Sequence, residues 1–357
     1  MGRLLVGMAS GVVKVGRLCT DRHQSLRRIG SLLATISLRR VITTLAGGVG
    51  AARFLAGLVD VVDAADVTAI VNTGDDTEMH GLWISPDLDT VTYTLAGAIN
   101  TETGWGLTGE TWAAMGALGR YGAQAPAGST AGTTWFGLGD KDLATHLYRT
   151  RRLDEGAPLS MVTSEISAAW GLRVRLVPMS DDRVQTMVTI REDGGLREIG
   201  FQDYFVGRRH SVPVASLRFA GSTQARPAPG VLDAINDADV VIVCPSNPLV
   251  SIGPIRAIAG VEGALKARRD RVVAVSPIVA GAAIKGPADR MLTELGHDSS
   301  VVGVARLYAP IAATLIIDDA DAELADAVEA EGVHCIVAPT IMTGRAEAAA
   351  LATRALA

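Results

Sequence analysis

From residue 41 onward the apolar positions fall into short β-branched runs that stop at Gly, Asn or Asp and lead into stretches with helical spacing. Residues 41–45 read as a strand, 51–62 as a helix, 67–71 as the next strand and, after a long loop, 90–98 as a helix. Residues 143–153 and 159–170 also have helical spacing. Three segments then alternate apolar and polar side chains, 173–178, 184–191 and 196–203, and are expected to pair antiparallel. The first rhythm returns with strands at 240–244, 272–275, 314–317 and 334–337, separated by helices that run through 265 and over 289–295 and 322–330; an Ala-rich helix follows. This order predicts an α/β fold: a Rossmann-like, mostly parallel, doubly wound sheet in one domain over 41–357, with 140–220 a mixed α/β insertion or cap. Ligands of such sheets bind beyond the carboxyl ends of the strands, so the loops there are where chemistry is sought.

Composition narrows the picture. Residues 1–40 lack the rhythm and carry eight Lys or Arg against one acid, Asp21. They are read as a disordered extension or an over-long translation start, outside the fold. The chain is 357 residues long with a formal net charge of -5, which argues against a general affinity for nucleic acid. Although 48% of residues are hydrophobic, no apolar run reaches the roughly 18 needed to span a bilayer. A soluble, cytoplasmic protein with no membrane partner is expected. Cys19, Cys244 and Cys335 are scattered without C-x-x-C spacing, so neither a disulfide framework nor a zinc site is indicated.

The strand-end loops hold the candidate chemistry. LAGGVGAAR, residues 45–53, follows the first strand and opens a helix. Gly47, Gly48 and Gly50 allow close approach of the backbone, and the helix start offers N–H groups to an anion. The motif has neither the third glycine of G-x-G-x-x-G nor the Gly-Lys-Ser/Thr of a Walker loop. VNTGDD at 71–76 and SPDLDT at 85–90 gather Asp75, Asp76, Asp87 and Asp89, hard oxygen ligands of the kind Mg²⁺ takes beside a diphosphate. Asp76 and Asp89 are the first choices, although Asp89 would also serve as an N-cap for a helix from Thr90. In WFGLGDKDLATH, 135–146, Asp140 or Asp142 would cap a helix and present His146 one turn in, where a lone His is more often structural. Two further loops, CPSNPLVSIG at 244–253 and SPIVAGAAIKGP at 276–287, are polar, rigidified by proline and suited to a nucleotide: Ser246, Asn247 and Pro248 in one, Ser276, Pro277, Gly281 and Gly286 in the other.

Taken in order with HGLWISPDLDT, PMSDD and FQDYFVG, these motifs resemble the 2-phospho-L-lactate transferase family of coenzyme F420 biosynthesis, over essentially all of 41–357. The resemblance implies transfer of a phosphoenolpyruvyl or 2-phospho-L-lactyl group from a guanosine-diphosphate-linked donor to the terminal ribityl hydroxyl of the deazaflavin Fo, with release of GMP. It also implies dependence on Mg²⁺, with Asp76, Asp87 and Asp89 holding the metal, the Gly47 to Gly50 turn bordering the reacting groups, and the Ser246 and Ser276 loops forming the nucleotide pocket. A homodimer is implied as well. Lactate, enolpyruvate and glycerate differ too little for sequence to separate, but the high Ala and Arg content resembles actinobacterial members, which favours enolpyruvate. Two other readings stand beside this one: a YvcK-like nucleotide-sugar-binding regulatory protein, which shares the glycine turn and the S-N-P loop, and a Rossmann oxidoreductase, disfavoured by the missing third glycine.

Overall fold

The computed structural model describes residues 40–192 and 194–357, so the expectation for residues 1–40 falls, Arg40 apart, outside it. Strand β1 (Ile42–Ala46) runs into helix α1 (Gly48–Val61) and returns as β2 (Val67–Val71). A short hairpin, β3 (Thr77–Met79) and β4 (Leu82–Ile84), precedes helix α2 (Pro86–Leu95). A long irregular stretch containing α3 (Ala113–Gly122) leads to α4 (Asp142–Asp154), α5 (Leu159–Ala169) and strand β5 (Arg175–Pro178). Three antiparallel strands follow: β6 (Gln185–Glu192), β7 (Gly195–Gly200) and β8 (Val214–Ala220). The rest of the chain runs α6 (Val231–Asp237), β9 (Val240–Val243), α7 (Gly253–Arg256), α8 (Val261–Ala267), β10 (Val272–Val275) and a small pair, β11 (Ile278–Val279) with β12 (Ala282–Ala283). It continues through α9 (Ala288–Glu294), α10 (Val301–Tyr308), β13 (Thr314–Ile317), α11 (Ala325–Ala330), β14 (His334–Val337) and α12 (Arg345–Leu356).

The main sheet has seven strands in the order β14-β13-β10-β9-β1-β2-β5, every pair parallel. Starting from β1, the chain builds outward through β2 to β5, then returns to the other side of β1 with β9 and builds outward to β14. The direction of winding reverses between β1 and β9, and a crevice opens at such a point because the two flanking loops leave on opposite faces. The sheet is the expected Rossmann-like α/β sheet. Its strands alternate between two cores: Val241, Val243 and Ala274 face one, Val240, Ile242, Cys244 and Val275 the other. On the second face α1 and α12 pack so closely that a Cβ on Gly57 would stand 2.2 Å from the Ala348 carbonyl carbon. Among the described residues no single helix is long and apolar enough to cross a membrane.

Several local expectations change. Helix α1 opens at Gly48, inside the glycine turn, not at Ala51. Helix α2 opens at Pro86, so Asp87 and Asp89 lie in its first turn and Asp89 is not its N-cap; proline fits the first helical position because its missing N–H would have had no partner. The segment expected at 173–178 is a parallel edge strand of the main sheet, pairing Thr68 with Arg175, and only 184–191 and 196–203 pair antiparallel, as β6 and β7. Strand β8 completes that smaller sheet. The hairpin β3–β4 turns through His80 (φ 54°) and Gly81 (φ 72°), the double positive φ of a two-residue turn whose twist matches its strands.

Candidate active site

At the crevice between β1 and β9 the glycine turn is held by two side chains. The Ser246 hydroxyl accepts from Gly47 N–H (3.3 Å) and donates to the Gly47 carbonyl (2.8 Å). Gly48 N–H donates to Asp87 Oδ1 (2.8 Å), so a carboxylate already sits against the positive end of helix α1. A Cβ on Gly47 would meet Ser251 Cβ at 2.7 Å and Asp87 Oδ2 at 2.9 Å; one on Gly50 would meet the Pro245 carbonyl oxygen at 2.2 Å. These glycines are therefore required by the meeting of two protein segments, while Gly48 is required by its φ of +71°.

The carboxylates gather beside this turn and divide into two groups. In the first, Asp87 Oδ2 accepts from Asn72 Nδ2 (2.9 Å), whose own Oδ1 accepts from Gly74 N–H (2.8 Å). Asp76 Oδ2 accepts from both the Trp83 indole N–H (3.0 Å) and the Ser85 hydroxyl (2.7 Å). Asp75 Oδ1 and Asp76 Oδ1 are buried without a hydrogen-bond partner. Burial pushes Asp76 up to about 8 against the lowering effect of Ser85, Trp83 and Arg149, and pushes Asp87 up to about 6. Asp75 is raised well above the usual carboxylate range, by burial first and then by repulsion from Asp87. Buried acids whose counter-charges do not offset burial hold their protons because the charged form is poorly solvated.

The second group has its own cation. Arg149, 1% exposed, donates to Asp89 Oδ2 from Nη1 (3.1 Å) and to Asp89 Oδ1 from Nη2. His146 lies between them and Asp142, with Nδ1 3.7 Å from Asp89 Oδ2 and Nε2 3.3 Å from Asp142 Oδ2. The Tyr93 hydroxyl donates to Asp142 Oδ1 (2.6 Å). Among the described residues, Asp89, Asp142 and His146 form the one group of three potential ligands whose atoms lie within 4.8 Å of one another. The guanidinium of Arg149 supplies positive charge there. Asp76, Asp87 and Asp89, expected to share one metal, are thus apportioned between the two groups. In the first group the three acids do not bring ligand atoms within 4.8 Å of one another, but two of them have buried oxygens without a partner, the kind of hard oxygen a divalent cation takes. In the second, Asp89 is already paired bidentately.

The two nucleotide-loop candidates stand at the ends of β9 and β10. Asn247 Oδ1 accepts from Leu249 N–H (2.9 Å) and Val250 N–H (3.3 Å), capping the π-helical turn Pro248–Ile252. Ser276 Oγ accepts from Ile278 N–H (3.1 Å) and donates to the Ile278 carbonyl (3.0 Å). Beyond Pro277, Ala280 (φ 49°) and Gly281 (φ 77°) turn β11 into β12, and Gly286 also has positive φ. In the same loop Lys285 Nζ reaches the Thr103 carbonyl (3.3 Å), and burial, followed by repulsion from Arg53, lowers its pKa. Asp140 caps helix α3 instead of α4, accepting from Ala113 and Ala114 N–H (both 3.0 Å).

Two cavities flank the β3–β4 hairpin, and Asp76 lines both. One, of about 300 Å³, has Asp75, Asp76 and Gln202 among its polar lining and Met79, Trp135 and Phe201 among its larger side chains. The Phe201 ring stacks on Phe205 (5.4 Å, 8°), which stacks on His210 (5.3 Å, 20°). The other, of about 390 Å³, is lined by Trp83, Thr150, Asp181 and Arg183. Trp83, Arg149, Gln202 and Phe201 were not singled out from the sequence. Only the H-G-L-W and F-Q-D-Y-F strings pointed toward any of them.

The family described as 2-phospho-L-lactate transferase CofD matches residues 42–353. The chain is 47% identical over 316 residues to a phosphoenolpyruvate transferase of Streptomyces griseus, covering 88% of this chain and 97% of that one. It is 43% identical to proteins of the same name from Nocardia farcinica, covering 88% and 93%, and Mycolicibacterium smegmatis, covering 87% and 96%. Among solved structures it is similar to a UPF0052-family protein of Bacillus halodurans, with a TM-score of 0.55, 15% identity and coverage of 88% and 98%. At that identity the likeness is one of fold alone.

Proposed function

The chain belongs to the 2-phospho-L-lactate transferase CofD family, and from that membership we propose that it moves a phosphoenolpyruvyl group from a guanosine-diphosphate-linked donor to the ribityl hydroxyl of Fo, releasing GMP. Enolpyruvate is preferred to lactate because the similar proteins carry that name. The ribityl oxygen forms a bond to the donor's terminal phosphorus, and the anhydride bond to GMP breaks with its electron pair leaving on GMP. The single hydroxyl proton passes to one carboxylate, that of Asp75 or Asp76. The main support is the cavity of about 300 Å³, which is lined by Asp75 and Asp76 and by the aromatic Trp135 and Phe201, a size and chemistry suited to an aromatic acceptor with a polar tail.

Asp75 and Asp76, each with an unpartnered buried oxygen, would supply ligands to Mg²⁺ with Asp87 beside them, and Asp89 is assigned to support them through Arg149. Bound there, the cation would neutralise charge developing on the transferring phosphate. The Gly47 to Gly50 turn borders the reacting groups. The backbone of Ser246, Asn247 and Pro248, with that of Ser276, Pro277, Gly281 and Gly286, is assigned to the nucleotide, and Arg53 and Lys285 to the donor's anionic groups. Mass spectrometry of the product formed from Fo and each synthetic donor tests the reaction. Melting-temperature shifts with GDP, UDP-sugars and NAD(P) test the class: a shift with UDP-sugars or NAD(P) but not GDP would overturn it.

A further inference from the structure

Trp83 lies on β4, directly opposite Glu78 of β3, in a hairpin between the two cavities. Its backbone is fixed by helix α4: Trp83 N–H donates to Thr150 Oγ1 (2.7 Å), Thr150 Oγ1 donates to the His146 carbonyl (2.7 Å), and Arg149 Nη1 approaches the Trp83 carbonyl (3.5 Å). The Arg183 guanidinium covers the indole at 5.1 Å. Held in this way, the indole N–H donates to Asp76 Oδ2, the same oxygen that receives the Ser85 hydroxyl. Two donors on one oxygen leave the other, Oδ1, buried and without a partner.

We infer that Trp83 is a positioning residue of the transfer reaction, holding Asp76 by one oxygen so that the other is presented to the cation and the acceptor hydroxyl. The inference rests on the role proposed for Asp76. Hydrogen bonds to charged groups fix a carboxylate's rotamer as well as its energy, and a misaligned reacting group costs rate more than affinity. Trp83→Phe removes the indole N–H while keeping an aromatic ring under Arg183 and every backbone bond to α4.

The test uses the full chain carrying Trp83→Phe, Ser85→Ala or Asp76→Asn, with GMP-release kinetics and calorimetric titration of Mg²⁺ without substrates. Trp83→Phe is expected to lower kcat by about 10- to 100-fold, the loss of one hydrogen bond to a charged group. KM for both substrates should stay within about twofold, because the interaction lost serves the transition state. Mg²⁺ affinity should weaken, and Ser85→Ala should show the same pattern, since it removes the other donor. Full turnover in Trp83→Phe with an inactive Asp76→Asn overturns the inference and leaves the role of Asp76 standing. An active Asp76→Asn removes that role itself. A raised KM at full kcat also overturns the inference, because it marks a substrate contact. If Trp83→Phe does not fold, Ser85→Ala decides, and full rate with unchanged Mg²⁺ affinity there overturns the inference.

Discussion

Two buried acid clusters each take one aspartate, Asp87 or Asp89, from the first turn of α2, and they differ in how their charge is matched. Asp89 and Asp142 share Arg149 and His146, so that cluster is closed and its charges are matched inside the protein. Asp75, Asp76 and Asp87 have amide, indole and hydroxyl donors but no comparable guanidinium of their own, and their proton affinities rise. A matched cluster supports structure; an unmatched one stores electrostatic cost that a bound cation relieves. The amino-acid types alone do not separate the two.

The largest expected effect falls on the unmatched cluster. Asp76→Asn keeps the side-chain shape while removing a negative ligand and proton acceptor, and should lower kcat by about 10²- to 10⁴-fold at saturating Mg²⁺. Turnover near that of the wild type would remove Asp76 from the reaction. The same substitution has a stability signature of opposite sign. Because folding raises Asp76 from an ordinary 3.8 to about 8, the neutral form's contribution is full below about pH 4 and lost as pH climbs to about 8. Without divalent cations, Asp76→Asn should therefore gain melting temperature relative to the wild type between pH 6 and 8.5. A difference that shrinks over that range contradicts the buried, unmatched acid.

The matched cluster should respond in its fold. Arg149→Met strips Asp89 of its partner and should cost about 3–5 kcal/mol in urea unfolding near neutral pH; a loss under about 1 kcal/mol would mean that Asp89 finds another counter-charge. A smaller effect is expected where the clusters meet the glycine turn. Gly50→Ala places a methyl 2.2 Å from the Pro245 carbonyl oxygen, a backbone clash that should cost about 1–3 kcal/mol. Unchanged stability would show that the two loops separate easily. The smallest loss, about 1 kcal/mol, is expected for Asn247→Ala, which removes a cap from the turn at Pro248. If Asn247→Ala instead leaves stability intact and weakens GDP binding, the amide belongs to the nucleotide and not to the fold.

Much of the architecture was legible in the pattern of residues. The β-branched runs at β1, β2, β9, β10 and β13 are largely buried, so they stand out as short segments of apolar residues and threonine, and the half-exposed edge strand β14 keeps the same apolar run. The parallel edge strand β5 was misread because Arg175 faces solvent, and the run then looks like the alternating strands that follow it. The β3–β4 hairpin was missed because His-Gly is a weaker turn signal than Asn-Gly, although both of its residues take positive φ.

By itself, the sequence determined the strand and helix rhythm, the placement of the glycine turn and the acid-rich motifs at strand ends, and the family, since each depends on residues close together along the chain or on motif order. The tertiary structure decided which charges meet. Arg149 reaches Asp89 across 60 residues, and Ser246 reaches Gly47 across 199. Local spacing carries no signal of such pairs, because they form only where winding reverses beside β1 and where α4 is laid against the hairpin. Whether an aspartate is matched by a guanidinium or left without one is fixed there, by the few ångströms over which charges act inside a protein.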